Sequence, residues 1–531
     1  MEKHDFTFFD NYGCLKFKTL SGCFINRNCH SVFYRQFILF FVAYIFLIIS
    51  TSCTDQNTRK PNIVFILADD VGVGDINCYY EPTKVKTPNI DKLATQGMRF
   101  TQAYAPGSVC SPTRYALISG RYPCRGPLKN KNVSTSDSLV IDTSLLTWPE
   151  FFQQQGYRTA HIGKWHLGYG DTGITNWAGE IKPGPLETGF DYHFGLVCNH
   201  SDNFKSYVEN RRLLWLKESV KHIPGKPEKS DLTQIRYDDE VDATLTERAI
   251  KFIEQNKDGP FFVYLALVAT HTHITPHKKF RNTSEIGQLG DYIHELDYHV
   301  GEIMTALRKL GLAENTILVF SSDNGGHKVD YRTAGQNLNL RSKADSVEEK
   351  AKTAKADAWK KYGHRTNGDF RGFKGGNYEG GFRVPFIIRW PCKIPKATES
   401  DQVISLVDML ATSAGLLGEE LPESAGQDSY DLSPVILGKD VAEPIRTETI
   451  LQTGNNRLAF RQNDWKVVFT EKTTWIENEA KLPETGIELY HLGNDPGEKH
   501  DLSKKYPKRV TKMRERLQEK INTIDHPFSW P

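Results

Sequence analysis

The sequence lacks a strong excess of charge of either sign. Its 531 residues contain 67 lysines and arginines against 65 aspartates and glutamates, so the formal net charge is only +2. No basic surplus is available to neutralise a phosphate backbone, which excludes nucleic-acid binding as the main role. An anionic ligand must therefore be held by a local site. The length and the apolar content of 39% indicate a globular chain with a large core and more than one domain.

Cysteine is also scarce, with nine residues in the whole chain. Three of them precede an N-terminal apolar run and Cys53 ends it, which leaves five in the remaining body: Cys78, Cys110, Cys124, Cys198 and Cys392. Five scattered thiols in so large a body are not a disulfide framework. One pair could bridge, but the spacing does not indicate which.

Long apolar runs are missing as well. The longest extends from Phe37 to Ile49, shorter than the about 20 residues that cross a bilayer, and two arginines precede it. This pattern is typical of a signal-peptide core. The run ends in STSC, which is similar to a bacterial lipobox, so we expect residues 1–52 to be leader and signal peptide and Cys53 to be lipidated. The protein is then exported and anchored by lipid to the membrane of the bacterial cell envelope, at the outer membrane or in the periplasm. An ordinary signal peptide cleaved nearby and an uncleaved anchor are the alternatives.

Four apolar runs in the body each end at polar residues that are able to do chemistry. Their β-branched and aromatic composition is typical of central strands covered on both faces. The runs and their polar residues are 62–68 with Asp69 and Asp70, 157–163 with Lys164, Trp165 and His166, 261–269 with His271 and His273, and 316–322 with Asp323 and Asn324.

Helical patterns lie between these runs, at 89–97, 239–256 and 291–311. The alternation predicts an α/β fold with a large, mostly parallel sheet flanked by helices. Ligands bind beyond the carboxyl ends of such strands, so the four polar clusters should converge on one edge.

The pattern of predicted secondary structure changes after about residue 440. Short strand patterns at 457–470 and 487–492 are followed by a charged helix pattern at 503–522. We therefore expect a catalytic domain over 61–440 and a small α+β C-terminal subdomain over 441–531, with a small antiparallel sheet and a helix. A further helical pattern at 346–363 either inserts near the active edge or is a solvated surface helix.

The two acidic pairs offer hard oxygen ligands from the ends of two strands. Such ligands select calcium or magnesium over zinc. One pair alone is more typical of a helix cap or turn, but a second pair in the same relative position favours a metal site. Lys164, Lys374 and the histidines add positive or proton-carrying groups. A divalent cation with lysines describes a pocket for phosphate or sulfate.

Cys110 precedes a helix pattern at 113–119, where helix amides should lower the pKa of a thiol. A reactive cysteine is one interpretation. A thiolate beside a hard cation is chemically awkward, however, because calcium and magnesium prefer oxygen.

Six ordered motifs identify the family that this sequence resembles. CSPTR at 110–114 resembles the type I sulfatase signature, and GYRTAHIGKWHLG at 156–168 is similar to its second signature. Further matches are PNIVFILADD at 61–70, ATHTH at 269–273, SSDNGG at 321–326 and GFKGGNYEGGFRVP at 372–385. ELYHLGNDPGEKHDL at 488–502 resembles the closing segment of the family, so the resemblance covers nearly the whole body of the chain.

The resemblance implies the alkaline-phosphatase-like sulfatase fold and a modified nucleophile. A formylglycine-generating or anaerobic sulfatase-maturating enzyme would convert Cys110 to formylglycine, which hydrates to a diol. One diol oxygen would attack sulfur and the other would expel sulfate. The resemblance also implies roles for eight other groups: Asp69, Asp70, Asp323 and Asn324 as ligands of calcium or magnesium together with the diol of Cys110, Arg114 as the holder of the diol, His166 as its hydrogen-bond partner, and Lys164 and Lys374 as sulfate ligands.

His271 would contact the ester oxygen and protonate the leaving alcohol, in preference to the neighbouring His273. Glu379 and Arg383 are expected to brace the glycine-rich loop as a buried pair.

The implied activity is the hydrolysis of sulfate esters on a sulfated polysaccharide or oligosaccharide. Algal polysaccharides such as ulvan are favoured as substrates, and animal glycosaminoglycans stay open. Trp177, Trp215 and Trp359 either stack on sugar rings or are ordinary packing residues. The competing interpretations are a phosphonate or phosphate ester hydrolase of the same superfamily, and an inactive lipoprotein that binds sulfated glycans.

Overall fold

The computed structural model describes residues 59–128, 132–171, 175–222, 228–328, 362–476 and 479–522. The leader at 1–52, the lipidation site at Cys53, the helix pattern at 346–361 and Trp359 lie outside the described residues. The chain from Arg59 onward forms one compact unit. The domain boundary at residue 440 therefore stays a prediction.

Ten strands form the main sheet, in the order β10-β2-β9-β8-β1-β7-β3-β4-β5-β6. The strands are β1 (Asn62–Ala68), β2 (Met98–Tyr104), β3 (Arg158–Lys164), β4 (Tyr192–Leu196), β5 (Val208–Glu209), β6 (Arg212–Leu213), β7 (Phe261–Ala266), β8 (Thr316–Ser322), β9 (Phe386–Arg389) and β10 (Thr398–Ser405). The five central strands, β8 to β4 in that order, are parallel. Strand β9 runs antiparallel to both of its neighbours.

Helices cover both faces of this sheet. Its central strands are therefore buried along their whole described length or nearly so. The helices are α1 (Pro88–Thr95), α2 (Cys110–Ser119), α3 (Trp148–Gln154), α4 (Val241–Gln255), α5 (Gln288–Lys309), α6 (Glu379–Phe382), α7 (Met409–Leu417) and α8 (Ser433–Ile436). Two apolar clusters fill the spaces on the two sides, one containing Phe65 and Trp148 and the other containing Ile66 and Leu296. The predicted α/β fold is confirmed.

A second sheet of four antiparallel strands follows in the chain. It consists of β11 (Glu448–Gln452), β12 (Leu458–Gln462), β13 (Trp465–Phe469) and β16 (Ile487–His491), and a two-stranded ribbon is formed by β14 (Thr474–Ile476) and β15 (Glu479–Lys481). Helix α9 (Pro507–Asn522) packs Met513 and Leu517 against the apolar face of the four-stranded sheet. This arrangement agrees with the predicted α+β C-terminal part.

The four strands that carry the polar clusters are neighbours in the sheet, in the order β8, β1, β7 and β3. They are parallel, so their carboxyl ends lie at one edge. The predicted convergence of the clusters is therefore observed. Two ends differ from the prediction: β3 includes Lys164 as its last residue, and β7 stops at Ala266, three residues early.

No two of the five body cysteines are joined by a disulfide. Among the described residues, no helix has the length and apolar character needed to cross a membrane.

Candidate active site

Carboxylates from two adjacent strands meet at the carboxyl edge of the sheet. Asp69 and Asp70 follow β1, and Asp323 and Asn324 follow β8. One oxygen from each of the three aspartates and the sulfur of Cys110 all lie within 4.8 Å of one another, and all four residues are buried. Asn324 donates from Nδ2 to Asp70 Oδ1 at 2.9 Å.

Two oxygen atoms in this cluster have no hydrogen-bond partner among the described residues. They are Asp70 Oδ2 and Asn324 Oδ1, and both are buried. A buried oxygen without a partner is costly unless a ligand satisfies it. Three carboxylates and an amide oxygen are a donor set that suits calcium or magnesium. The residues present therefore fit a hard divalent cation.

Cys110 is the first residue of helix α2, and it is 1% exposed. Its Sγ lies 3.6 Å from Asp69 Oδ1 and 3.3 Å from Lys374 Nζ. Burial raises the pKa of the thiol to about 12, against the opposing effect of Lys164 and Lys374. The expectation of a lowered thiol pKa is therefore wrong, because the loss of water outweighs the helix amides and both ammonium groups. An unmodified Cys110 is a poor nucleophile in this position.

Arg114 lies one turn further along α2 and is fully buried. It donates from Nε and Nη2 to Asp323 Oδ2, at 3.0 and 2.7 Å, and from Nη1 to the carbonyl oxygen of Lys164 at 2.8 Å. Burial raises the pKa of Asp323 to about 6, and the charge of Asp69 adds to this effect. Arg114 thus joins the cysteine helix to the ends of β8 and β3.

Two lysines form ion pairs with carboxylates of the cluster. Lys164 Nζ lies 2.6 Å from Asp69 Oδ2, and Lys374 Nζ lies 2.5 Å from Asp70 Oδ1. Burial opposes ionisation of Asp69, but Lys164 and the other cations outweigh it and hold the pKa of that carboxyl well below its usual value. Counting formal charges, three carboxylates face Arg114, Lys164 and Lys374. A divalent cation would leave a net positive site, which suits an anionic ester.

His166 is buried beside Lys164, and its Nε2 lies 2.9 Å from the carbonyl oxygen of Val133. A carbonyl oxygen only accepts, so Nε2 carries the proton and Nδ1 has a free lone pair. Nδ1 has no hydrogen-bond partner among the described residues. Burial, with Lys164 and Arg114, lowers the pKa of His166 well below its usual value. The ring is therefore neutral and able to accept a proton at Nδ1.

Of the two histidines that follow β7, His271 belongs to the cluster. A ring nitrogen of His271 lies within 4.8 Å of Cys110 Sγ and an Asp69 carboxylate oxygen. Burial lowers the pKa of His271 to about 3, and the ammonium groups of Lys374 and Lys164 contribute. His273 is partly exposed, and its carbonyl oxygen accepts a bond from His200 Nε2 at 2.9 Å. The structure thus brings His271, and not His273, to the sulfur.

Glu379 and Arg383 form a buried ion pair of 2.7 Å at helix α6, as the bracing role requires. Trp177 is 1% exposed and packs against Tyr169 and Phe204, so sugar stacking by Trp177 is wrong and the packing interpretation is correct. Trp215 packs against Tyr207.

Sequence reasoning missed several contributors to the site. The carbonyl of Val133, which fixes the tautomer of His166, lies in a loop without a motif. His200 is also buried near His271, and the centroids of the two imidazole rings are 5.9 Å apart. His200 comes four residues after the end of β4, and His166 comes two residues after the end of β3. A position shortly after a strand end was the available signal.

Comparison with known proteins agrees with this geometry. The family model named Sulfatase matches residues 61–419. An N-acetylgalactosamine-6-O-sulfatase of Bacteroides thetaiotaomicron is 36% identical over 506 residues, covering 87% of this chain and 93% of that protein. The human N-acetylgalactosamine-6-sulfatase is 30% identical and covers 84% of this chain and 82% of its own length.

Solved structures give the same result. A 6S-sulfatase structure from work on glycosaminoglycan metabolism by Bacteroides thetaiotaomicron has a TM-score of 0.74 and 32% identity, covering 87% of this chain and all of that one. The PsFucS1 sulfatase from Pseudoalteromonas sp. has a TM-score of 0.66 and 25% identity, covering 91% of this chain and 94% of its own.

The fold and the site define a hydrolase of sulfuric esters. The chain belongs to the sulfatase family. It is a sulfatase, an enzyme that hydrolyses sulfate esters.

Proposed function

We propose that this sulfatase works through formylglycine made from Cys110, with calcium held by Asp69, Asp70, Asp323 and Asn324. The observation that carries the proposal is the position of Cys110 Sγ, which stands where the formylglycine oxygens would be. It lies 3.3 Å from Lys374 Nζ and 3.6 Å from Asp69 Oδ1. Formylglycine supplies an oxygen nucleophile in place of the buried thiol, whose pKa of about 12 makes it unreactive.

Calcium held by Asp69, Asp70, Asp323 and Asn324 would supply positive charge that draws electron density from the sulfate ester. The ammonium groups of Lys164 and Lys374 would then exchange their carboxylate partners for sulfate oxygens. Both lysines are buried or nearly so, with side chains 0% and 11% exposed. Charge–charge attraction is stronger in such a site than in water, so both lysines would hold the ester tightly. Magnesium is the second metal that this donor set suits.

The two histidines would divide the proton transfers. His166 has its free lone pair at Nδ1, so it would take the proton of the second hydroxyl of the hydrated formylglycine as sulfate leaves. His271 would serve the ester oxygen on the other side. Without substrate, burial and the ammonium groups of Lys374 and Lys164 lower its pKa to about 3. A bound sulfate ester adds negative charge beside the ring, which raises that pKa and favours proton donation to the leaving alcohol.

For the substrate, we propose 6-O-sulfated N-acetylgalactosamine units of a glycosaminoglycan as the first class to test. Two relatives at 36% and 30% identity carry that specificity in their names. No residue of the site supports ulvan, the substrate that the sequence-based hypothesis favoured. Ulvan is therefore tested beside the glycosaminoglycan.

The experiment is a product assay on the enzyme made together with a maturation enzyme and supplied with calcium. Sulfate and phosphate release would be measured by ion chromatography on chondroitin 6-sulfate and 4-sulfate oligosaccharides, ulvan and simple phosphoesters. Sulfate from the 6-sulfated oligosaccharide alone supports the proposed substrate. Sulfate from ulvan alone replaces it, and phosphate alone contradicts the proposed chemistry.

We also propose that the protein is exported and lipid-anchored at Cys53, on the strength of the leader sequence. Mass spectrometry of the N-terminal peptide from the membrane fraction tests this. A diacylated Cys53 is expected in the native chain, and loss of membrane association is expected in Cys53→Ala. An unmodified Cys53 in a soluble protein contradicts the anchor.

A further inference from the structure

Lys374 is carried by a glycine-rich segment, residues 371–378, which we call the lysine loop. One side of this loop is tied to the catalytic edge. The backbone N–H of Lys374 donates to the carbonyl of Gly326 at 3.0 Å, and that of Gly375 donates to the carbonyl of Ser108 at 2.7 Å. Gly326 follows the metal-site asparagine by two residues, and Ser108 precedes Cys110 by two. The loop is thereby set against both the metal site and the nucleophile.

The other side of the lysine loop is tied to the C-terminal sheet. Asn377 is 6% exposed, and its Nδ2 donates to the carbonyl of Leu458 at 2.9 Å and that of Phe469 at 2.8 Å. These carbonyls lie at the start of β12 and the end of β13, so a single amide group binds two neighbouring strands. At the beginning of the loop, Arg371 donates to the hydroxyl of Tyr490 in β16 at 2.9 Å.

A buried charge network reinforces the same junction. Lys466 in β13 lies 2.9 Å from Glu379, and also 2.9 Å from Glu498, with all three side chains fully buried. Glu379 begins helix α6, immediately after the lysine loop. The loop is therefore held at both ends by the C-terminal sheet and in the middle by the catalytic edge.

We propose that the C-terminal sheet positions Lys374, and that Asn377 is the positioning residue through which it acts. This inference rests on the sulfate-binding role proposed for Lys374. Asn377 is three residues from Lys374, so its two bonds to the sheet fix the backbone close to that lysine. Both N–H groups of its amide are used, while its buried Oδ1 has no partner among the described residues. The contribution of Asn377 therefore comes from its two donor bonds.

The C-terminal sheet can affect sulfate binding because it fixes the position of Lys374. Catalytic groups must be held to within a fraction of an ångström, and a misplacement of about 1 Å costs up to about a hundredfold in rate. Lysine has a flexible stem and a point-like ammonium, so its backbone must be fixed if the charge is to be fixed. Residues 375 and 376 are glycines, which add freedom that only the contacts of the loop remove.

The test compares Asn377→Ala and Asn377→Asp with Met513→Ala. Met513 lies on helix α9 and packs against the same sheet, in an apolar cluster whose described members include no residue of the lysine loop. Tyr490→Phe is a milder second variant, because it removes only a hydroxyl, which accepts from Arg371 and donates to Glu488. Each formylglycine-containing protein is measured for its melting temperature and for inorganic sulfate binding by calorimetry in the calcium-loaded form. Calcium binding is measured by calorimetry on the same protein after treatment with a chelator. Sulfate binding needs no known substrate, so the test stands even if the proposed glycan is wrong.

We expect Asn377→Ala to weaken sulfate binding about tenfold, with calcium affinity unchanged within about twofold. Asn377→Asp should be worse, since its carboxylate would face two carbonyl oxygens, and Tyr490→Phe should lose about threefold. Met513→Ala should lower the melting temperature and leave sulfate affinity unchanged. Unaltered sulfate binding in both Asn377 variants overturns the proposal, as does an equal loss in Met513→Ala. A Lys374→Ala reference that binds sulfate normally instead contradicts the role given to Lys374.

Discussion

Arg114 places two of its guanidinium nitrogens on a single carboxylate oxygen of Asp323, at 3.0 and 2.7 Å. Both side chains are fully buried. The remaining nitrogen, Nη1, reaches the carbonyl of Lys164. A planar group with fixed donors is needed to join three elements in this way, and a lysine would supply one point charge instead. The arginine of the CSPTR motif is therefore an organiser of the site as well as a neighbour of the nucleophile.

Replacing Arg114 by methionine leaves Asp323 buried without its cation. We expect the free energy of unfolding to fall by about 3–5 kcal/mol, which is typical when one partner of a buried pair is removed. Urea denaturation measures this loss. Sulfate release should fall to background as well, because Cys110 lies on the same helix.

The matched control is Arg125→Met. Arg125 pairs with Asp428 at 2.7 Å, largely buried and outside the metal cluster. This variant should also lose stability but retain sulfate release from the folded fraction. Equal activity in the Arg114 and Arg125 variants would contradict the organising role.

Calcium should stabilise the fold, because three buried carboxylates meet at this site. Within the cluster, Asp70 Oδ2 and Asn324 Oδ1 have no hydrogen-bond partner among the described residues. A ligand present at a hundred times its Kd adds about 2.7 kcal/mol to the free energy of unfolding. Calorimetry with calcium and with a chelator should therefore give clearly separated melting temperatures. Asp70→Asn should shrink that separation, while Asp401→Asn on the surface should not. A melting temperature that ignores both calcium and the chelator would count against the metal site.

Two acids near the catalytic edge make stability depend on pH. Burial raises the pKa of Asp242 to about 7, with a contribution from Glu295, and burial raises the pKa of Glu295 to about 8. Both values exceed the unfolded ones near 4, so the folded state binds more protons between these limits. The free energy of unfolding therefore falls as pH rises from about 4 to 8, by up to about 1.4 kcal/mol per pH unit for each group, and their contribution is constant above that range.

Asp242→Asn should flatten this slope over pH 5 to 8, measured by urea denaturation at each pH. The slope is the relevant quantity, because Asp242 also accepts the N–H groups of Val268 and Ala269 and its loss lowers stability at every pH. The surface variant Asp401→Asn provides the baseline. An identical slope in the Asp242 variant and the native protein would show that Asp242 is not the titrating group.

The central strands were predictable because fully buried parallel strands need continuous apolar runs. Strands β1 and β8 match the predicted runs residue for residue. The antiparallel β9 was missed, since its four residues carry no signal of direction or partner. Its place between β8 and β2 is set by long-range pairing.

The side chains of the site were found through motifs, but their protonation states could not be predicted from the sequence. The thiol of Cys110 shows the difference: its helix position was read from sequence, but its pKa depends on how completely the fold excludes water. The partner of His166 is a backbone carbonyl, which no residue type encodes. Asn377 likewise lies within a motif, but its two acceptors come from a sheet about 80 to 90 residues away in sequence.

The most direct test of the account is sulfate release by the matured enzyme, measured together with the mass of the peptide that contains Cys110. Native enzyme, Cys110→Ala and a control with Cys78→Ala would be made with the maturation enzyme and supplied with calcium. We predict formylglycine at position 110 and sulfate release in the native and Cys78 proteins, and neither in Cys110→Ala. Sulfate release by Cys110→Ala at the native rate would contradict the central claim that the reaction proceeds through this residue.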